Sequence, residues 1–131
     1  MEDFQVLNNS GTLITRAQRE GIQNRVTMRS RGWTFTLHNY CIDDENKLQQ
    51  LDCTYIIYGR ESSQTGTLHL QGYVFFSCPG KSGYGVRKIL NTASWFSSRG
   101  NIDQNIAYCS KLGDVFSKGN IIIMFIFNKH I

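Results

Sequence analysis

Residues 65–76 read TGTLHLQGYVFF, an alternation with a period of two. Side chains of a β-strand point alternately to its two faces, a period that no helix shares. The stretch is expected to be a strand, with Leu68, Leu70 and Val74 on one face and His69 and Gln71 on the other. The preceding CTYIIYG (53–59) is β-branched and aromatic, and the polar RESSQTG (60–66) reads as a turn. Two such runs joined by a polar turn form an antiparallel hairpin.

The flanking segments supply partners. GWTFTLHNY (32–40) reads as a strand, with Trp33, Phe35 and Leu37 facing one way and Thr34, Thr36 and His38 the other. DDENKLQQL (43–51) opens on acidic residues and aligns Leu48 with Leu51, as a short helix does. SCPGKSG (77–83) is a loop, YGVRKILN (84–91) a short helix with Val86, Ile89 and Leu90 inward, and SWFSS (94–98) an extended piece. NIDQNIAYCSKLG (101–113) is a helix that Asn101 can cap and Gly113 stops. The order is β-α-β-β-α-β-α, whose first six elements are those of a ferredoxin-like split βαβ unit. The expected class is α+β, a ferredoxin-like or RRM-like antiparallel sheet with helices, over residues 31–118. Residues 1–30, with Arg16, Arg19, Arg25 and Arg29, read as a flexible basic arm. A helix over 15–26 would be interrupted by Gly21. Residues 119–131 form an apolar C-terminal tail, either a final strand or a short unrelated ending.

Composition narrows the class. A chain of 131 residues that is 40% hydrophobic and 18% charged is globular, with room for one domain and its core. The net charge of +4 is compatible with a nucleic-acid partner without establishing one. The four cysteines form no CxxC and no zinc-spaced cluster, so they read as reduced thiols of a cytosolic or nuclear protein. The polar N-terminus has no secretory apolar core, and no segment approaches the roughly 20 apolar residues of a membrane span.

Two patterns carry chemistry. At 100° per residue, Ile102, Ile106, Cys109 and Leu112 share one side of the last helix, and Gln104, Tyr108 and Lys111 share the other. A core tyrosine would lie with the isoleucines. Lys111, three residues beyond Tyr108, reaches the same space as the phenol. On the strand, His69 and Gln71 point to one face, and Glu61 offers a carboxylate beside His69 if the hairpin is in register. One nitrogen and two oxygens suit Mg²⁺ or Mn²⁺ better than a thiolate metal. Taken singly, each pattern is more readily an ordinary polar surface. Together, a hard cation beside a tyrosine and a lysine equips a site to attack a phosphodiester. The sequence has no glycine-rich phosphate loop, HExxH or Ser-His-Asp set to offer a competing chemistry.

WTFTLHN, HLQGYVFF and YCSK occur in this order, and over residues 31–114 the chain resembles the endonuclease domain of replication-initiator (Rep) proteins from small circular single-stranded DNA viruses, the circovirus and nanovirus branch above all. HLQG is similar to the one-histidine form of the HUH metal motif, with Gln71 in place of the second histidine. YGRE resembles the segment carrying the acidic ligand, which falls on Glu61. The first motif is FTLNN-like, and His38 departs from it. The resemblance implies an endonuclease that nicks single-stranded origin DNA in a stem-loop. Tyr108 would form a 5′-phosphotyrosine and leave a free 3′-OH for rolling-circle replication, and a second transfer would rejoin the ends. It further implies Mg²⁺ or Mn²⁺ on Glu61, His69 and Gln71, assistance from Lys111, and work in a host nucleus, with a homo-oligomer left open. Arg31, Thr34, Thr36 and His38 are candidates for DNA contacts. Full-length relatives continue into a helicase domain with a Walker A loop. No GxxxxGK[ST] occurs here, so no helicase domain is expected in this chain. The rival reading is a non-catalytic RRM-like module that binds single-stranded nucleic acid by stacking bases on exposed Tyr73 and Phe75.

Overall fold

The computed structural model describes residues 6–7, 13–14, 28–98 and 101–129. Most of the expected basic arm, 1–30, lies outside them, the possible helix over 15–26 included, while Arg29–Ser30 at its end is strand rather than loose chain. Two small ladders form apart from the main sheet's own pairing: β1 (Val6–Leu7) with β2 (Leu13–Ile14), and β3 (Arg29–Ser30) with β7 (Lys81–Ser82). The main sheet uses β4 (Gly32–His38), β5 (Tyr55–Ser62), β6 (Leu68–Phe75), β8 (Ser94–Ser97) and β9 (Val115–Gly119). Its order is β8-β4-β6-β5-β9, and every pair is antiparallel. The helices are α1 (Ile42–Gln49), α2 (Gly83–Arg87), α3 (Ile102–Ser110) and α4 (Ile121–Lys129). The expected α+β antiparallel class is the one observed.

The alternation of β4 and β6 decides what each sheet face does. Trp33, Phe35, Leu37, Leu70 and Val74 point to one face, where Ile56 and Tyr58 of β5 join them, and all are buried. Leu48 of α1, Val86 of α2 and the nearby Leu90 close that core. Gly72 is required there, because a Cβ would run into the Phe35 ring. Each large side chain withdrawn from water contributes about 1.5–3 kcal/mol, so this face carries much of the stability. Leu68, expected with this set, is 52% exposed at the start of β6, beyond the reach of the helices.

Polar residues pin α1 and β9 to β5. Glu45 Oε1 accepts from Tyr58 Oη at 2.8 Å and from Arg60 Nε at 2.9 Å, and Arg60 Nη1 reaches Asp114 at 2.9 Å. Lys118 of β9 donates to the carbonyls of Gln49 (2.6 Å) and Leu51 (3.1 Å), at and just beyond the end of α1, where cations are favoured. The 60–66 turn is shorter than expected, because Arg60, Glu61 and Ser62 continue β5 opposite Leu70, His69 and Leu68. Polarity suggested a turn; cross-strand pairing and the Arg60 clamp make it strand.

The C-terminal segment also departs from expectation. Val115–Gly119 pairs with β5 as a fifth strand. Residues 121–129 are helical instead of a strand or a loose ending, capped by Asn120, whose Oδ1 accepts from Ile123 N at 3.0 Å. Met124 is fully buried with Tyr55, Ile57, Tyr73, Phe75, Ile102 and Cys109 on the second sheet face. Tyr73 and Phe75 are 2% and 1% exposed, so the stacking platform required by the RRM-like reading is covered.

Candidate active site

The second sheet face is only half covered. α3 and α4 lie over its apolar half, while His38, Thr36, Thr34, His69 and Gln71 remain at least partly open. Strand register assembles one row across three strands: Glu61 pairs with His69, and His69 with His38. The next row is Gly59, Gln71 and Thr36. The hairpin is therefore in the register that brings Glu61, His69 and Gln71 onto one face. β4 ends just past this row because Asn39 turns the chain with φ 55°, a left-handed conformation that asparagine tolerates.

Glu61 is the buried acid of the site, at 7% exposure. Its Oε1 lies 3.0 Å from His69 Nε2, and its Oε2 accepts from Lys111 Nζ at 2.6 Å. Gln71 Oε1 accepts from Thr36 Oγ1 at 2.9 Å, which holds its carbonyl toward β4. His69 Nδ1 is buried with no hydrogen-bond partner.

α3 brings the tyrosine. Asn101 caps the helix, accepting from Asp103 N at 2.8 Å and Gln104 N at 3.3 Å. Ile102 and Cys109 anchor its apolar side, and Tyr108 stands out at 54% exposure. Gly59 lets the end of α3 come this close, since a Cβ there would strike the Cys109 carbonyl. The helix ends at Ser110, so Leu112 leaves the expected stripe and is 61% exposed. The same early ending puts Lys111 at the C-cap. Its ammonium lies 3.8 Å from the Tyr108 ring centroid while it pairs with Glu61. Tyr108, Lys111, Glu61 and His69 thus form one connected chain of contacts.

Burial pushes the Cys109 thiol up to about 12, with Lys111 opposing and Glu61 adding to the shift. Burial also pushes the Tyr58 and Tyr73 phenols up to about 12.

The DNA-contact candidates divide. His38, Thr36 and Thr34 lie on the open face, whereas Arg31 precedes β4 at its other end, seven residues from His38 and so about 23 Å along an extended strand. Gly59 was not singled out in the sequence; a glycine inside an otherwise β-branched and aromatic run was the available signal.

Glu61, His69 and Gln71 present their donor atoms on one face of the sheet. Among the described residues no cluster of three or more His, Cys, Asp or Glu forms, so the set reaches three only through the Gln71 carbonyl. A carboxylate, an imidazole and an amide oxygen on one face are the donor types a hard or borderline ion takes. Glu61 Oε1 faces His69 Nε2, and Oε2 accepts from the Lys111 ammonium.

The sheet is five-stranded and antiparallel with helices on both faces, an α+β fold of the ferredoxin-like HUH type. The family model for viral replication proteins matches residues 30–112, and the chain belongs to that family. It is 36% identical over 89 residues to the replication-associated protein of Canary circovirus, covering 66% of this chain and 30% of that protein. It is 38% identical over 88 residues to that of Beak and feather disease virus (65% and 30%). It is 36% identical over 87 residues to Para-Rep C2 of Subterranean clover stunt C2 alphasatellite (63% and 31%). The chain thus spans about 30% of the length of the first two relatives. Among the described residues no helix is long and apolar enough to cross a membrane.

Proposed function

We propose that this chain initiates viral DNA replication by nicking single-stranded origin DNA, with Tyr108 as nucleophile, and by rejoining the ends in a second transfer. The observation that carries this reading is the continuity from exposed Tyr108 through Lys111 and Glu61 to His69, which joins two distant sequence motifs into one site.

In the first step Tyr108 Oη forms a bond to phosphorus and the P–O3′ bond breaks. The phenol loses a proton and the departing 3′ oxygen gains one, so the step is proton-neutral overall. The product is a 5′-phosphotyrosine and a free 3′-OH; attack by a 3′-OH on the adduct reverses the chemistry and seals the strand. Lys111 places positive charge beside the phenol and can balance charge on the phosphate. Glu61 holds Lys111 and His69 in place. Glu61, His69 and Gln71 would hold Mg²⁺ or Mn²⁺, which when bound polarises the scissile phosphate. Thr34, Thr36 and His38 would line the path of the strand. The substrate would be an origin stem-loop and the compartment a host nucleus.

The test is incubation with a 5′-labelled or 3′-labelled single-stranded origin oligonucleotide and Mn²⁺, resolved on a denaturing gel. A cleaved product with a protein-linked 3′-side fragment is expected. Reversible binding without cleavage in any divalent ion would overturn the proposal in favour of a binding module.

A further inference from the structure

The open half of the sheet continues past β4 to the edge strand β8. Ser94 pairs with Thr36, and Phe96 with Thr34. Directly opposed residues of antiparallel strands point to the same face. Phe96 therefore shares the face of Thr34, Thr36 and Gln71. Its neighbour Trp95 turns to the covered face, where its ring lies 4.9 Å from that of Phe35 and its Nε1 donates to the Leu90 carbonyl at 3.0 Å. Trp95 supplies the packing of this strand. Phe96 is 55% exposed, and Ser94 and Ser97 beside it are small, polar and exposed. Tyr73, which pairs with Thr34 from the other side, is buried with Ile102, Cys109 and Met124, so Phe96 is the aromatic ring of this row left open.

The strand that carries Phe96 is tied to the helix that carries Tyr108. Asn105 Nδ2 of α3 donates to Ser98 Oγ at 2.9 Å, just past the end of β8. Asn105 lies three residues before Tyr108, a spacing that makes them neighbours on the helix surface. Strands are about 4.8 Å apart and rise about 3.4 Å per residue, which puts Phe96 about 12 Å across the face from Gln71. An extended polynucleotide covers that distance in a few nucleotides.

We propose that Phe96 stacks on a base of the bound single strand, a few nucleotides from the phosphate that Tyr108 attacks. This deepens the proposed nicking reaction and rests on it. The occupant is the substrate strand because the ring stands on the open surface continuous with the Tyr108 site. A phenylalanine offers a base no hydrogen bond, only a flat face, so its contribution is affinity and position with little sequence preference.

The test uses a Tyr108→Phe parent, which blocks the proposed chemistry, and two fluorescent probes followed by anisotropy. One is oligothymidylate; the other is a strand of equal length with every base replaced by an abasic spacer. Adding Phe96→Ala should weaken oligothymidylate binding by roughly five- to 150-fold, the loss of one stacked base. Affinity for the abasic strand, held through its phosphates, should change little. Phe96→Trp should keep oligothymidylate binding, and Phe96→Leu, apolar without an aromatic face, should not. Because the ring is exposed, melting temperatures should stay within about a degree or two of the parent. Equal oligothymidylate affinity in Phe96→Ala and the parent would overturn the role of Phe96 and leave the Tyr108 chemistry standing. Equal losses on the two probes, or parental binding by Phe96→Leu, would overturn stacking. Failure of the parent to bind oligothymidylate would overturn it as well. Joined to the absence of a wild-type adduct on the origin strand, that failure would overturn the single-strand reading itself.

Discussion

The two faces of the main sheet are built from the same strands yet differ in almost every respect. Under α1 and α2, Trp33, Phe35, Leu37, Ile56, Tyr58, Leu70 and Val74 are all buried in one cluster. On the other face, α3 and α4 bury Tyr55, Ile57, Tyr73 and Phe75 and stop. Beyond that limit the same strands present His38, Thr36, His69 and Gln71. A nine-residue helix is about 13.5 Å long and cannot span five strands. One face therefore serves stability, and the uncovered part of the other is free for chemistry.

The comparison breaks most visibly at Tyr108. Tyr108→Phe removes only the oxygen of a half-exposed ring, so the melting curve should be unchanged while the covalent DNA adduct falls by more than roughly 10³-fold. An adduct at wild-type level would place the nucleophile off the open face. The opposite dissociation is expected for the covered face. Phe35→Ala empties a fully buried site between Gly72 and Trp95 and should cost about 3–5 kcal/mol in denaturant unfolding. A loss under 1 kcal/mol would mean that this face is not the stabilising one.

Gly59 sharpens the comparison because it belongs to both roles. It sits on β5 beside Gln71 and under the Cys109 carbonyl. Gly59→Ala must push the end of α3 away, at about 1–3 kcal/mol of overpacking. Because Tyr108 and Lys111 ride on that end, adduct formation should fall more than stability predicts. Equal adduct rates at a temperature where both proteins are folded would separate the helix position from the chemistry.

These differences track what could be read in the sequence. Strands β4 and β6 were legible because each places its apolar set on one face, and the stripe of α3 was legible through Ile102 and Cys109. The end of β5 was not, because Arg60 and Glu61 look like turn residues until Leu70 and His69 pair with them. Strand β9 was hidden for a related reason: VFSKG carries two apolar residues, and only its pairing with β5 makes it strand. Tyr73 and Phe75 were misread as exposed because the helix that helps bury them, α4, lies in a segment whose apolar run suggests no period. In the candidate site, Glu61, His69, Gln71, Tyr108 and Lys111 were singled out from spacing and motif, and the fold brings Glu61, His69 and Lys111 into contact. The nearness of His38 to His69 requires the strand register, which no single strand encodes.

The smallest expected effect comes from buried groups on both sides of the sheet. Burial raises the Cys109 thiol and the Tyr73 phenol to about 12 on the half-covered face. It raises Tyr58 to about 12, with contributions from Glu45, and Cys53 to about 11 on the other. These groups are neutral when protonated, so the folded protein keeps protons that the unfolded chain releases above its ordinary values of 9 for thiols and 10 for phenols. The unfolded state then binds fewer protons, and unfolding free energy declines with rising pH. The contribution is fully present below about pH 9 and is lost progressively toward 12. Melting temperature should therefore be flat near neutrality, as far as these groups are concerned, and fall above pH 9. Tyr73→Phe removes one such proton from the half-covered face without opening a cavity. Its melting temperature should fall less steeply than that of wild type between pH 10 and 12. Parallel slopes for the two proteins would mean that Tyr73 ionises no differently in the folded and unfolded chains, and that the cover provided by α3 and α4 is looser than its burial indicates.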